Sequence, residues 1–163
     1  MTRRELLAGG VLLTLLATGC GVRPTDVITG RPAVSGPSQG IGLYLLARGE
    51  LALVLRPAPE DASPAKTLAL LAAGPRENER GQGLTSEVPA GLDPVSVTSA
   101  ANPSGGLTVR TTGPARTLSP KAADQVICTV ADAAARTGLA ESFAPVTVTG
   151  SDGARPARPC PIK

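Results

Sequence analysis

Residues 119–138 read SPKAADQVICTVADAAARTG, and this stretch decides the fold. A serine followed by a proline is a typical helix start, because the serine side chain caps the first turn and proline fits its first position. Apolar residues then recur at the spacing of one buried helix face: Ala123, Val126, Ile127, Val130 and Ala134. Gly138 ends the pattern. The stretch therefore predicts one helix with one side turned to a core.

Two other residues of this predicted helix lie off its apolar side. Counting about 100° per residue, Cys128 is about 140° from the middle of the stripe, where a returning C-terminal tail could reach it. Gln125 is about 160° from the stripe, so its side chain either reaches a loop or faces solvent.

Three cysteines occur in the chain. If Cys20 is lipidated, Cys128 and Cys160 form an even pair outside the cytoplasm, which favours a structural disulfide. That bridge would close a loop of about 33 residues and contribute about 3–4 kcal/mol in the chain-entropy treatment. Two buried thiols or a redox pair are the alternatives, although a redox pair usually has the Cys-x-x-Cys spacing.

Apolar runs at residues 41–47 and 51–56 surround Arg48-Gly49-Glu50 and predict a β-hairpin. Ser63-Pro64 repeats the cap-plus-proline start and predicts a short helix, which Gly74-Pro75 ends.

Residues 76–94 predict an irregular link, and their charged cluster is expected to be a solvated face: Arg76, Glu77, Glu79 and Arg80.

Strands are predicted at residues 94–99, 106–112 and 145–149, and a proline-rich tail follows. The predicted order is β-β-α-β-β-α-β. We therefore expect a single compact α+β module over residues 41–163, with two helices packed on one face of a sheet and a C-terminal tail.

The N-terminus has the features of a lipoprotein export signal. Residues 1–19 contain Arg3-Arg4, an apolar stretch of about 12 residues and a small-residue end before Cys20, which together predict a signal peptide and a lipid-bearing cysteine. Paired arginines fit twin-arginine export and ordinary export equally well. Residues 20–40 are rich in Gly, Pro and Ser and predict a flexible tether with a span of about 25 Å. The expected location is the extracytoplasmic face of the cell membrane.

The composition excludes several chemistries. The chain has no His, which removes His-based triads and His-ligated metals, and we expect no metal and no cofactor. Without Trp, and with Tyr44 and Phe143 as its only aromatics, it offers little for stacking a sugar or a base. The net charge of +3 is too small to favour nucleic acid.

Several landmarks resemble the GerMN domain, a sporulation and spore-germination module of bacterial envelope proteins. The similarity covers residues 41–155. The matching segments are Leu70-Leu71-Ala72-Ala73-Gly74-Pro75, Glu79, Gly83-Leu84-Thr85-Ser86-Glu87-Val88-Pro89, Asp124-Gln125-Val126-Ile127-Cys128-Thr129, Val146-Thr147-Val148 and Asp152-Gly153. Such domains resemble the ring-building modules of secretion systems, so the resemblance implies packing against another envelope protein. The residue types themselves favour fold maintenance, with Gly74 expected in the left-handed conformation after the helix.

We therefore expect a non-enzymatic interaction or scaffold module, held to the membrane through lipid on Cys20. The alternative is a lipoprotein that binds a small ligand or an envelope polymer. Four arginines are candidates for that role, and a cluster of them on one face would favour it: Arg48, Arg56, Arg76 and Arg110.

A His-free hydrolase is a third hypothesis. Ser63-x-x-Lys66 fits it formally, but Ser63 is expected to cap a helix. Ser86 lacks the flanking glycines of a nucleophile elbow. No catalytic residue is therefore predicted.

Overall fold

The computed structural model describes residues 40–58, 62–100 and 105–162. The predicted signal peptide, Cys20 and the tether as far as residue 39 lie outside the described residues. The elements are β1 (Gly40–Ala47), β2 (Glu50–Pro57), α1 (Pro64–Ala72), α2 (Glu77–Gly81), β3 (Leu84–Thr85), β4 (Pro94–Ser99), β5 (Leu107–Thr111), α3 (Pro120–Arg136), β6 (Val146–Gly150) and β7 (Gly153–Arg158). This confirms a single α+β module with roughly the predicted order.

The strands of the described chain divide between two sheets, which the sequence pattern did not separate. One has the order β2-β1-β3 and the other the order β4-β5-β6-β7. β5 and β6 pair in parallel, and α3 is the crossover between them. The apolar stripe predicted on α3 is buried along its whole length, which places it in the core. Both predicted caps form as well: the Ser63 hydroxyl accepts from the Lys66 N–H at 3.3 Å and the Ser119 hydroxyl from the Ala122 N–H at 3.0 Å.

Two segments predicted to be irregular form regular structure. The link contains α2 and β3, because the Glu79 carboxylate accepts the backbone N–H of Arg76 and closes one helical turn. The tail contains β7, which lies at the edge of its sheet and so tolerates Pro156. Gly74 has a φ of 80°, the left-handed conformation expected where α1 ends.

A disulfide joins Cys128 on α3 to Cys160, with 4.8 Å between the Cα atoms. The predicted structural bridge is therefore confirmed, and it pairs the helix with the returning tail as the helix geometry indicated. Cys128 is buried under that tail. The disulfide thus fixes the tail that follows β7 to the side of α3 that carries Cys128, away from the buried apolar stripe.

Candidate functional site

A buried ion pair holds the inner side of β2. Arg56 donates from Nε to Glu79 Oε1 at 2.8 Å and from Nη2 to Oε2 at 2.6 Å, and it also donates to the Gly74 carbonyl at 3.0 Å. Both residues are buried, so the prediction that Glu79 belongs to a solvated face is wrong. The hydrogen bond from Arg56 holds the pKa of Glu79 below its usual range. A carboxylate kept ionised in this way fastens β2 to α1 and α2 and is unsuited to general acid catalysis.

Gln125 closes the edge of β1 that faces away from β2. Its amide nitrogen donates to the Tyr44 carbonyl at 2.9 Å and to the Ser86 hydroxyl at 3.3 Å, while its oxygen accepts the Glu87 N–H at 2.9 Å. The side chain is fully buried, so of the two sequence alternatives the reach to a loop is confirmed. The amide takes the place of a neighbouring strand, because it offers one donor side and one acceptor side as a peptide group does.

Thr129 completes this closure one helical turn further along α3. Its hydroxyl oxygen accepts the Tyr44 N–H at 3.0 Å. Beyond Tyr44 the same edge pairs with β3, through Leu46 opposite Thr85. Gln125 and Thr129, two of the residues on which the resemblance rests, therefore make contacts that hold the fold.

The other edge of the hairpin belongs to β2, and within the described residues no strand pairs with it. Tyr44 and Leu53 lie opposite each other. Because the Tyr44 N–H and C=O both point away from β2, this is a non-hydrogen-bonded pair, and the Leu53 N–H and C=O point away from β1. The same holds for the backbone groups of Leu51 and Leu55, two residues to either side. We call this outward row of Leu51, Leu53 and Leu55 the open edge.

Apolar side chains are concentrated on the face of the hairpin that carries Leu51, Leu53 and Leu55, opposite the buried Arg56, and we call it the outer face. The described residues expose five large apolar side chains, and four of them lie on or beside this face: Leu53, Leu55, Phe143 and Ile162. Leu55 and Phe143 are each 56% exposed. Phe143 also has a φ of 68°, a conformation that costs about 1–3 kcal/mol for a residue other than glycine.

A groove of about 180 Å³ lies next to Tyr44, and we call it the outer groove. It is lined by Tyr44, Cys128, Ala131, Asp132, Ala135, Ser142, Phe143, Cys160 and Ile162. It therefore brings together the only two aromatic residues of the chain and the disulfide. Burial, and then the nearby Asp132 carboxylate, raise the pKa of Tyr44 above its usual range.

The four candidate arginines do not form a cluster. Arg56 is buried in its ion pair, Arg48 lies in the β1–β2 turn and Arg110 belongs to β5 of the other sheet. Arg76 precedes α2 and lies near Arg56, since its backbone N–H donates to the same Glu79 carboxylate. The four arginines therefore do not share one face, which is the arrangement that would have favoured a small-ligand or envelope-polymer binding site.

The hydroxyls considered for catalysis have structural partners. Ser63 caps α1, and the Ser86 hydroxyl accepts the Val88 N–H and bonds Gln125.

Among the residues that the structure describes, no group of His, Cys, Asp and Glu is placed to hold a metal ion. The Asp152 carboxylate accepts the N–H groups of residues 115, 116 and 117, which holds the pKa of that carboxyl below its usual value.

Sequence reasoning did not find the open edge or the outer groove. The rarity of aromatic residues was a signal for the groove, because Tyr44 and Phe143 both line it although they are 99 positions apart in the sequence.

No helix in the described ranges is long and apolar enough to cross a bilayer. No protein-family model, curated protein or solved structure matches the chain.

Proposed function

We propose that this protein is a non-enzymatic lipoprotein of the GerMN type, anchored through Cys20 at the extracytoplasmic face of the cell membrane, where it binds another envelope protein as an interaction or scaffold module. The observation that carries the proposal is the concentration of exposed apolar residues on the outer face of the hairpin. Soluble domains rarely expose such groups together unless something binds there.

Two further features support a binding role over an enzymatic one. The polar side chains that could have served chemistry, including Glu79, Gln125 and Ser86, are used in contacts that hold the fold. The outer groove instead offers a ring, a phenol and a disulfide beside apolar carbon, a surface suited to packing against a protein side chain.

The membrane part of the proposal rests on the sequence of residues 1–20. Two acyl chains on Cys20 hold a protein stably to a bilayer, and about 20 tether residues leave the domain free to meet partners within about 25 Å. Mass spectrometry of the membrane-extracted protein tests this part. We expect a diacylglyceryl-modified Cys20 as the first residue, and a Cys20→Ala variant that is not modified.

Photo-crosslinking in the native host tests the binding role. A photoreactive amino acid replaces Phe143 in one strain and the exposed Gln82, outside the groove, in a control strain. We expect position 143 to capture one envelope protein that position 82 does not capture, and Cys20→Ala to weaken the capture. Capture of no protein at position 143, while the protein remains in the membrane fraction, would overturn the binding role.

A further inference from the structure

The open edge carries three backbone N–H and C=O pairs without a strand partner among the described residues. Natural proteins usually protect such an edge, because an unpaired row of donors and acceptors is a template for another strand. β2 spans eight residues, and along the open edge it is interrupted only by Pro57 at its end, where no N–H is required. The edge is therefore long enough to pair with a further strand.

The sequence of β2 is symmetric about Leu53. Residues 51–55 read Leu-Ala-Leu-Val-Leu, with a leucine at each position of the open edge. An antiparallel partner identical to β2, with a two-fold axis at Leu53, places Leu51 opposite Leu55 of the second copy and Leu53 opposite itself. These residues are the ones whose N–H and C=O point outward, so each becomes a hydrogen-bonded pair that exchanges two bonds.

Only this register matches all three leucines. Moving the axis to Ala52 leaves Leu55 opposite Gly49, and moving it to Val54 leaves Leu51 opposite Pro57. An axis between residues would put side chains on opposite faces of the sheet. At the ends of the favoured register, Glu50 lies opposite Arg56 of the second copy, so no like charges meet.

We propose that the partner of the open edge is a second copy of this chain, joined by antiparallel pairing of β2 with β2 about Leu53. The two hairpin sheets then form one continuous sheet with β2 strands at its centre. The leucines of both copies lie side by side on its outer face and cover one another in part. The pairing is isologous, as in most two-fold dimers, and it does not depend on the lipid anchor or on a second envelope protein.

Cysteine crosslinking of the full-length protein in membranes tests this proposal. In the native chain Cys20 is expected to be lipidated and Cys128 is bridged to Cys160, so Leu53→Cys adds a single free thiol. Hydrogen-bonded antiparallel neighbours have Cα atoms about 5.5 Å apart, which a disulfide can span. We expect Leu53→Cys to form a covalent dimer under a mild oxidant. Val95→Cys, which is exposed on β4, is the matched control and should remain monomeric.

Co-expression of two variants tests the register. We expect Leu51→Cys and Leu55→Cys to crosslink when mixed, and each to crosslink poorly when expressed alone. Sedimentation of the unaltered protein in detergent should show a dimer that Leu53→Lys converts to a monomer.

Three outcomes would overturn the dimer. The first is that the new thiol of Leu53→Cys reacts with a maleimide but never forms a crosslink. The second is that this thiol is shielded from the maleimide although the protein is a monomer. The third is crosslinking of the Val95→Cys control as strong as that of Leu53→Cys. A different protein captured at position 143 would then still support the proposed binding role, so the two proposals fail separately.

Discussion

The two long edges of the β1–β2 hairpin differ in how their backbone groups are satisfied. The β1 edge is closed by β3 and by the buried side chains of Gln125 and Thr129. The β2 edge has no strand partner among the described residues and carries leucines at alternate positions. A helix can therefore close a sheet edge when it presents side chains that copy the donors and acceptors of a peptide group.

This comparison also separates the roles of the two strands. β1 is surrounded by protein and belongs to the core, whereas β2 is fastened on its inner side and available on its outer edge. Each side of the hairpin can therefore be altered separately, and loss of the ion pair on the inner side of β2 is expected to cost most.

Glu79→Leu removes the partner that fastens β2 from within. It leaves the Arg56 guanidinium buried without its carboxylate, and such a change typically costs about 3–5 kcal/mol. Urea unfolding followed by circular dichroism measures the loss. Glu77→Leu, at an exposed position of the same helix, should cost far less. The double variant Arg56→Met/Glu79→Leu should recover much of the stability, because it also removes the unpaired guanidinium. If the single and double variants lose equal stability, the loss does not come from burying a charge without its partner.

Gln125→Leu opens the β1 edge. The Tyr44 carbonyl and the Glu87 N–H both lose their partner at part-buried positions, and an unpaired polar group that is shielded from water costs about 1–3 kcal/mol. We expect the free energy of unfolding to fall by about 3 kcal/mol in the same urea experiment. Gln82→Leu, which alters an exposed glutamine, is the control. A Gln125→Leu variant as stable as the control would show that the amide does not close this edge.

Thr129→Val removes a single acceptor with little change of shape. The Tyr44 N–H then has no partner, at a cost of about 1–2 kcal/mol. Hydrogen exchange gives the sharper result, because the Tyr44 amide should exchange slowly in the native protein and faster in the variant. The Leu53 amide, on the opposite edge, should not respond. An unchanged Tyr44 rate would mean that the amide is protected by burial alone.

Acid should weaken the ion pair that holds the inner side of β2. The hydrogen bond from Arg56 lowers the pKa of Glu79 below that of the unfolded chain, so its stabilising effect is present above about pH 4.3 and is lost as the pH falls through the lower folded value. Glu79→Gln removes this titration. We expect the stability gap between the native protein and Glu79→Gln to narrow as the pH falls from about 6 to about 3. Asp152 titrates in the same direction in both proteins and cancels in the comparison.

The parts of the fold that were predicted from sequence are those set by local spacing. The stripe and cap of α3 and the Gly74 stop each depend on residues within a few turns, and the outward position of Cys128 follows from helix geometry alone. The contacts that were not predicted join distant residues. Arg56 and Glu79 are 23 positions apart, and Gln125 and Tyr44 are 81 apart. An alternating charge pattern cannot show which carboxylate is buried.

The candidate site was missed for a related reason. Two apolar runs around a turn predict a hairpin, but they do not reveal which edge the rest of the chain will cover. β7 was missed because Pro156 argues against a strand, and only its place at a sheet edge permits it.

The closing of the β1 edge by α3 also sets an order of events during synthesis. The hairpin leaves the ribosome well before residues 120–136, so for that interval the β1 edge is as bare as the β2 edge. A newly made hairpin thus has two unpaired sides, and in the part of the domain that the structure describes only the β2 edge stays without a strand partner. The time that passes before α3 packs against β1 therefore sets how long a half-folded molecule is open to aggregation.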